Sequence, residues 1–190
     1  MRIGIDIDDT ICDSWLTIAP IMCKDFNLDY NEIIKSKKTY KEIIKITETQ
    51  YREYSKKYRT ILKNPKLKEN VKETLEELAK DNKIIFITAR PDYSFDNAYE
   101  FTKEFLDKNN IHYDKIITNA EEKKQICKQE SIDIFIDDNK TNCEKVSELK
   151  IKVLMFENYF NEDETKFKKI KNWKEILKEV NNARKITNLW

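Results

Sequence analysis

The chain has almost no net charge, little arginine, one histidine and no long apolar run, and each scarcity removes a class of function. The 36 basic residues nearly cancel the 35 acidic ones, leaving +1 at pH 7. Such a balance sets up no field to steer polyanions, so a nucleic acid polymer is not an implied partner. Arginine occurs only at Arg2, Arg52, Arg59, Arg90 and Arg184, which leaves few candidates for a planar guanidinium clamp on phosphate. His112 lies in a polar stretch with no Cys or Asp cluster at zinc-ligand spacing, so histidine catalysis is not expected. The first hydrophobic stretch is broken by Asp6, Asp8 and Asp9, and nowhere do the roughly 18 apolar residues of a membrane span run together. Cys12, Cys23, Cys127 and Cys143 are widely spaced and form no CxxC pair. They read as free buried thiols, and a cytoplasmic location is expected. Internal repeats and low-complexity segments are also missing.

The 190 residues suffice for one buried core with an insert. Short β-branched or aromatic runs at Arg2 to Ile7, Lys83 to Ala89, Lys115 to Thr118, Ile132 to Ile136 and Ile151 to Phe156 have the character of buried strands. Between them lie helical patterns at Leu67 to Lys80, Phe95 to Lys108 and Glu121 to Glu130, and another is expected at Glu164 to Val180. Strands alternating with helices imply an α/β fold with a doubly wound parallel sheet. The segment 14–64 is helix-like throughout and far longer than a crossover needs. It reads as a helical cap inserted in a core formed by 1–13 and 65–190. Within it, Asp29 to Glu32 and Thr39 to Glu42 have capping-box spacing, Pro20 should kink the helix that begins near Ser14, and Pro65 marks the return to the core.

Ligands of an open parallel sheet bind outside the carboxyl ends of its strands. The first strand ends in Asp6, Asp8, Asp9 and Thr10, the second in Thr88 and Arg90. The third leads past Asn119 to Lys123 and Lys124, and the fourth ends in Asp137 and Asp138. Carboxylates this close repel one another and call for a hard cation with oxygen ligands, for which magnesium is the natural choice. Beside magnesium and a lysine, Asp6 could attack phosphorus and carry the phosphoryl group as an acyl phosphate. Helix phase puts Lys123 on one face with Ile126 and Cys127, so Lys123 should point inward, with Lys124 as the fallback. Tyr51, Tyr54, Tyr58 and Ile61 follow helical spacing and should pack against another cap helix. Trp15, just after the first motif, is the better aromatic candidate for touching substrate.

Asp6-Ile7-Asp8-Asp9-Thr10, Thr88, Lys123 and Asp137-Asp138 resemble, in order, the four motifs of the haloacid dehalogenase superfamily. The stretches GIDIDDT, ITAR and DIFIDDN are similar to those of the bacterial branch of the 5'(3')-deoxyribonucleotidase family. The resemblance implies a Rossmann-like core and a magnesium-dependent phosphomonoester hydrolase acting on nucleoside monophosphates. It makes Asp6 the nucleophile, and Asp8 the group that protonates the leaving oxygen and then activates water. Thr88, with Ala89 and Arg90 beside it, and Lys123 would hold the phosphoryl group. Asp6, the Asp8 backbone carbonyl, Asp137 and Asp138 would hold the metal. Asp9 stands where the superfamily often has glycine, and Asp tolerates left-handed backbone better than most residues.

Three other readings stay open at this level. A receiver domain also gathers acids, Thr and Lys around a phosphoryl group, but its acidic pair comes first in the chain and it has no helical insert. The core motifs recognise only phosphoryl and metal, so a sugar phosphate or another small phosphorylated metabolite could be the substrate. A non-catalytic phosphate-binding protein on the same scaffold would lack a motif residue, and none is missing. Oligomeric state is not legible.

Overall fold

The computed structural model describes residues 1–36, 44 and 47–187. The strands β1 (Arg2–Ile5), β2 (Lys83–Ile87), β3 (Lys115–Ile117), β4 (Ile134–Asp137), β5 (Lys152–Phe156) and β6 (Lys168–Ile170) form one sheet. Its order is β3-β2-β1-β4-β5-β6, and every pairing is parallel. Fully apolar centres such as Ile84 to Ile87 are what a sheet covered on both faces requires.

The two faces follow from strand alternation. Ile3, Ile5, Ile84 and Phe86 face one layer, made by α4 (Val71–Ala79), α6 (Ala98–Lys108) and α9 (Trp173–Thr187). Ile85, Ile87 and Phe135 face the other, made by α7 (Lys123–Gln129) and α8 (Lys140–Ser147). Gly4 sits on this second face, where a Cβ would lie 3.0 Å from Ile87 Cδ1 and 3.3 Å from Phe135 Cδ2. It is the chain's only glycine. The positive-φ positions accordingly fall mostly to Asn and Asp, among them Asp9, Asn27, Asn70, Asp96, Asn110 and Asn119, whose short polar side chains tolerate that region.

Between β1 and β2 run α1 (Ser14–Phe26), α2 (Tyr30–Ser36), α3 (Glu48–Arg59) and a 3₁₀ turn (Ile61–Lys63). Trp15, Ala19, Met22, Cys23, Ile33 and Tyr58 form an apolar cluster of their own. The chain leaves and re-enters the sheet region side by side: Asp13 N donates to Lys66 O at 2.9 Å and Lys68 N to Ile11 O at 3.0 Å. α1 continues through Pro20 as one helix. Asp29 Oδ1 accepts the Glu32 amide at 2.9 Å, whereas the Thr39 to Glu42 capping box lies outside the described residues, as does the Tyr51 side chain. Thr47 and Gln50 form the capping box that starts α3. Tyr54 packs edge-on to Phe26 of α1, with ring centroids 4.7 Å apart, and the buried Tyr58 hydroxyl donates to Asp25 Oδ2 at 2.9 Å.

Two segments differ from expectation. Glu164 to Val180 is not one helix, because Lys168–Ile170 pairs with β5 as an edge strand and α9 starts only at Trp173. Phe167, Ile170 and Trp173 keep a three-residue spacing, so apolar periodicity runs through the strand into the helix and hides the break. Phe95 to Lys108 is likewise two pieces, α5 (Asp92–Phe95) and α6, separated by Asp96 at φ 57°. Asn97 then caps α6 through Glu100 N. Among the described residues no helix is long and apolar enough to cross a membrane.

Candidate active site

Ladder bonding runs one residue past β1 and β2: Asp6 N donates to Ile136 O at 2.9 Å and Thr88 N to Ile117 O at 2.9 Å. Asp6 and Thr88 therefore leave the sheet beside Asp137, the last residue of β4. After Asp6 the chain turns sharply, with Ile11 N donating to Ile7 O at 2.9 Å. Asp9 takes the left-handed position at φ 60°, and its Oδ1 accepts the Trp15 amide at 2.9 Å. The loop thus forms with Asp in the place of glycine, and α1 is tied to it.

Carboxylate oxygens of Asp6, Asp137 and Asp138 all lie within 4.8 Å of one another. Lys123, the first residue of α7, is buried between them, and its Nζ donates to Asp6 Oδ1 and, at 2.7 Å, to Asp137 Oδ2. Lys124 points outward to Glu148 on the surface, so the helix has the phase that its sequence implied. Burial works against the Lys123 ammonium, but Asp137 and Asp6 outweigh it and hold its pKa above the ordinary value. Burial pushes Asp6 up to about 7, against the pull of Lys123 and with repulsion from Asp137 and Asp8 adding to it. Asp138 is raised well above the usual carboxylate range by burial and by the charge of Asp137. Carboxylates that resist ionisation beside one another, offering only hard oxygen donors, fit a divalent cation such as magnesium.

Arg90 stands differently from a free phosphate clamp. Its Nε donates to Asp8 Oδ2 and its Nη2 to Asp8 Oδ1, both at 2.8 Å. Its Nη1 reaches Thr102 Oγ1 at 3.4 Å. Phe95, Phe101 and Phe105 surround the guanidinium, each ring centroid 5.7 Å from Cζ. To hold phosphate directly, this fork would have to open. Burial would raise the Asp8 pKa, but the charge and hydrogen bonds of Arg90 and the Ser14 hydroxyl, 2.5 Å away, bring it below the usual value.

Asp6, Asp8, Thr88, Ala89, Arg90, Lys123, Asp137 and Asp138 line one crevice. Trp15 is not among them. It lines an adjoining cavity of about 480 Å³, with Tyr58 from α3 and Tyr93, Ser94 and Phe95 from α5; Asp8 and Ala89 border both spaces. That volume is within the range of about 300–1,000 Å³ typical of small-molecule sites. α3 lies over α5, with Arg59 paired to Asp96 and the Arg52 guanidinium 4.9 Å from the Tyr93 ring.

Sequence reading missed several supporting side chains. Asn158 donates to Asp138 Oδ2 at 2.7 Å and Asn161 to the Asp138 carbonyl at 2.7 Å. Thr10 donates to Asp138 Oδ1 at 3.2 Å and Asn142 to Asp137 Oδ2 at 3.1 Å. Extending the strand-end rule to the fifth strand would have found Asn158, two residues past Phe156. Ser14 and Thr102 carry no comparable signal.

Aspartates at the end of the first strand, a buried lysine and a terminal acidic pair on a parallel sheet define a phosphatase of the haloacid dehalogenase type, a phosphomonoester hydrolase. Solved structures agree on the fold. The haloacid dehalogenase-like hydrolase SP0104 of Streptococcus pneumoniae aligns with TM-score 0.66 at 17% identity, covering 94% of this chain and 97% of that one. YfnB of Bacillus subtilis, solved with magnesium bound, aligns with TM-score 0.63 at 16% identity over 95% and 98%. In sequence, residues 1–186 match the family described as 5' nucleotidase, deoxy (pyrimidine), cytosolic type C protein, and the chain belongs to that family. A nucleotidase of Clostridium acetobutylicum is 30% identical over 164 residues, 85% of this chain and 82% of that protein. The YqfW protein of Bacillus subtilis is 29% identical over 187 residues, 96% and 94% of the two chains.

Proposed function

We propose that this chain is a magnesium-dependent 5'(3')-nucleotidase that hydrolyses (deoxy)nucleoside monophosphates through a phospho-aspartate at Asp6. The observation that carries the reading is the Lys123 ammonium held between Asp6 and Asp137, in a crevice that shares Asp8 and Ala89 with an adjoining aromatic-walled cavity. Residues 14–64 act as the cap over this crevice, and 1–13 with 65–190 as the core.

Asp6, Asp137, Asp138 and the Asp8 backbone carbonyl would hold the metal. When bound, magnesium supplies positive charge that offsets the phosphoryl oxygens and keeps neighbouring carboxylates ionised. The Asp6 carboxylate attacks phosphorus, forming an acyl phosphate as the ester P–O bond breaks. Thr88 donates to a phosphoryl oxygen and Lys123 neutralises its charge. Asp8 gives a proton to the leaving oxygen. At rest, the pull of Arg90 keeps Asp8 ionised; a phosphoryl dianion beside it favours the protonated acid. Water then attacks the acyl phosphate, Asp8 takes its proton, and inorganic phosphate leaves Asp6 free.

The nucleoside occupies the cavity between α1, α3 and α5, where Tyr93 and Phe95, with the largely buried Trp15, offer ring surface for base stacking. A panel of phosphomonoesters, assayed with magnesium and with chelator, tests the reading. Nucleoside monophosphates should turn over fastest, and only with metal. Faster turnover of sugar phosphates than of every nucleotide would remove the nucleotidase assignment. Rapid-quench mass spectrometry should find phosphate on an Asp6 peptide, and its absence during turnover would remove the covalent step.

A further inference from the structure

The Asp8–Arg90 pair is built to a tolerance that simple charge neutralisation does not need. Asp8 Oδ1 accepts from Arg90 Nη2 at 2.8 Å and from Ser14 Oγ at 2.5 Å, while Oδ2 accepts only from Arg90 Nε at 2.8 Å. Each carboxylate oxygen has two lone pairs. Oδ1 is therefore fully used, and one lone pair of Oδ2 remains. The fork itself cannot swing. Thr102 Oγ1 lies 3.4 Å from Nη1, and three phenylalanine rings from α5 and α6 enclose the guanidinium. A planar fork gripped in this way fixes both the position and the plane of the carboxylate it holds.

We propose that Arg90 is a positioning residue for Asp8, aligning the free lone pair of Oδ2 with the leaving-group oxygen, and that it acts on proton transfer rather than on phosphate binding. The inference rests on the assignment of Asp8 as the proton-transferring group. During phosphorylation the Oδ2 proton passes to the departing ester oxygen as the P–O bond breaks. In dephosphorylation a water proton passes to the same atom as the new P–O bond forms. Lysine could not replace the fork, because a single ammonium holds the carboxylate at one point and leaves its plane free to turn.

The test uses Arg90→Met and Arg90→Lys against two substrates, a nucleoside monophosphate and an aryl phosphate whose phenol leaves without a proton. Single turnover of the nucleotide should slow on the order of 100-fold in both variants, the scale of a misplaced reacting group. The aryl phosphate should still give a burst of phenolate at near the wild-type rate, followed by slow turnover, and inhibition by inorganic phosphate should be unchanged. Arg90→Met leaves the half-buried Asp8 carboxylate without its charged partner and can fail to fold, so the Asp8→Asn/Arg90→Met double variant is measured as well, with no charge left to orphan. If Arg90 works through Asp8, the double variant is no slower on the nucleotide than Asp8→Asn alone. A clamp on phosphate gives the opposite: equal losses on both substrates, weaker phosphate inhibition and multiplying effects in the double variant. Either that pattern or wild-type rates in Arg90→Lys would overturn the proposal. If no phosphate appears on Asp6 in the wild type, the covalent reading fails separately, because the leaving-group comparison still reads Arg90 under direct attack by water.

Discussion

Replacing Lys123 by methionine removes the only side-chain ammonium that touches the acidic cluster among the described residues. Its stem is already buried, so methionine fills most of the space and the change is chiefly one of charge. Asp6, Asp137 and Asp138, with oxygens within 4.8 Å of one another, are then left facing each other. Breaking a buried pair by deleting one partner costs about 3–5 kcal/mol, and for a chain of this size each kcal/mol lowers Tm by roughly 2–4 °C. In chelator, Lys123→Met should therefore melt on the order of 6–20 °C below wild type. Saturating magnesium should recover much of that loss, since the vacated site is more negative. Activity should not recover. A preorganised charge aimed at the transition state contributes about 10²–10³-fold, so kcat/KM with magnesium should fall by roughly that factor. Lys124→Ala is the control: it removes an exposed pair with Glu148, a contact of about 0–1 kcal/mol, and should leave both readouts unchanged. Differential scanning calorimetry and steady-state kinetics on the three proteins suffice. Wild-type kcat/KM in Lys123→Met, or an equal loss in Lys124→Ala, would refute the placement of the charge.

Asp9 should make the metal-free protein less stable as pH rises. Burial pushes its pKa from 3.8 up to about 7, against the hydrogen bond from Trp15 N, so between these values the unfolded chain has released a proton that the folded chain keeps. The folded state then binds more protons, and stability falls from about pH 4 to about pH 7. Asp9→Asn can keep the left-handed turn and should flatten this fall in a Tm-against-pH series; an unchanged slope would contradict it. Trp15→Ala should raise KM for nucleoside monophosphates roughly 5- to 150-fold, from a stacking contribution of about 1–3 kcal/mol per base. It should spare ribose 5-phosphate, and equal effects on both would take Trp15 out of the base site.

The sequence alone determined the parts whose signals are local. A short run such as KIIFITA, rich in β-branched residues, reads as a buried strand, and acids directly after such strands gather at one end of a parallel sheet. The inward turn of Lys123 followed from its three- and four-residue spacing to Ile126 and Cys127. Asp9 could be trusted to turn left-handed because of its residue type. Tertiary structure decided the rest. The edge strand Lys168–Ile170 exists because β5 offers it a free row of backbone groups, a partner that apolar spacing cannot reveal. Arg90 turned to Asp8 because Thr102 and three phenylalanines from α5 and α6 close around it, and no spacing in the chain brings position 90 to position 8. Asn158 and Asn161 reached the acidic pair for the same reason. Hydrogen bonds between side chains from separate strand ends depend on how strands are ordered in the sheet, and that order is fixed by packing of the whole rather than by any one segment.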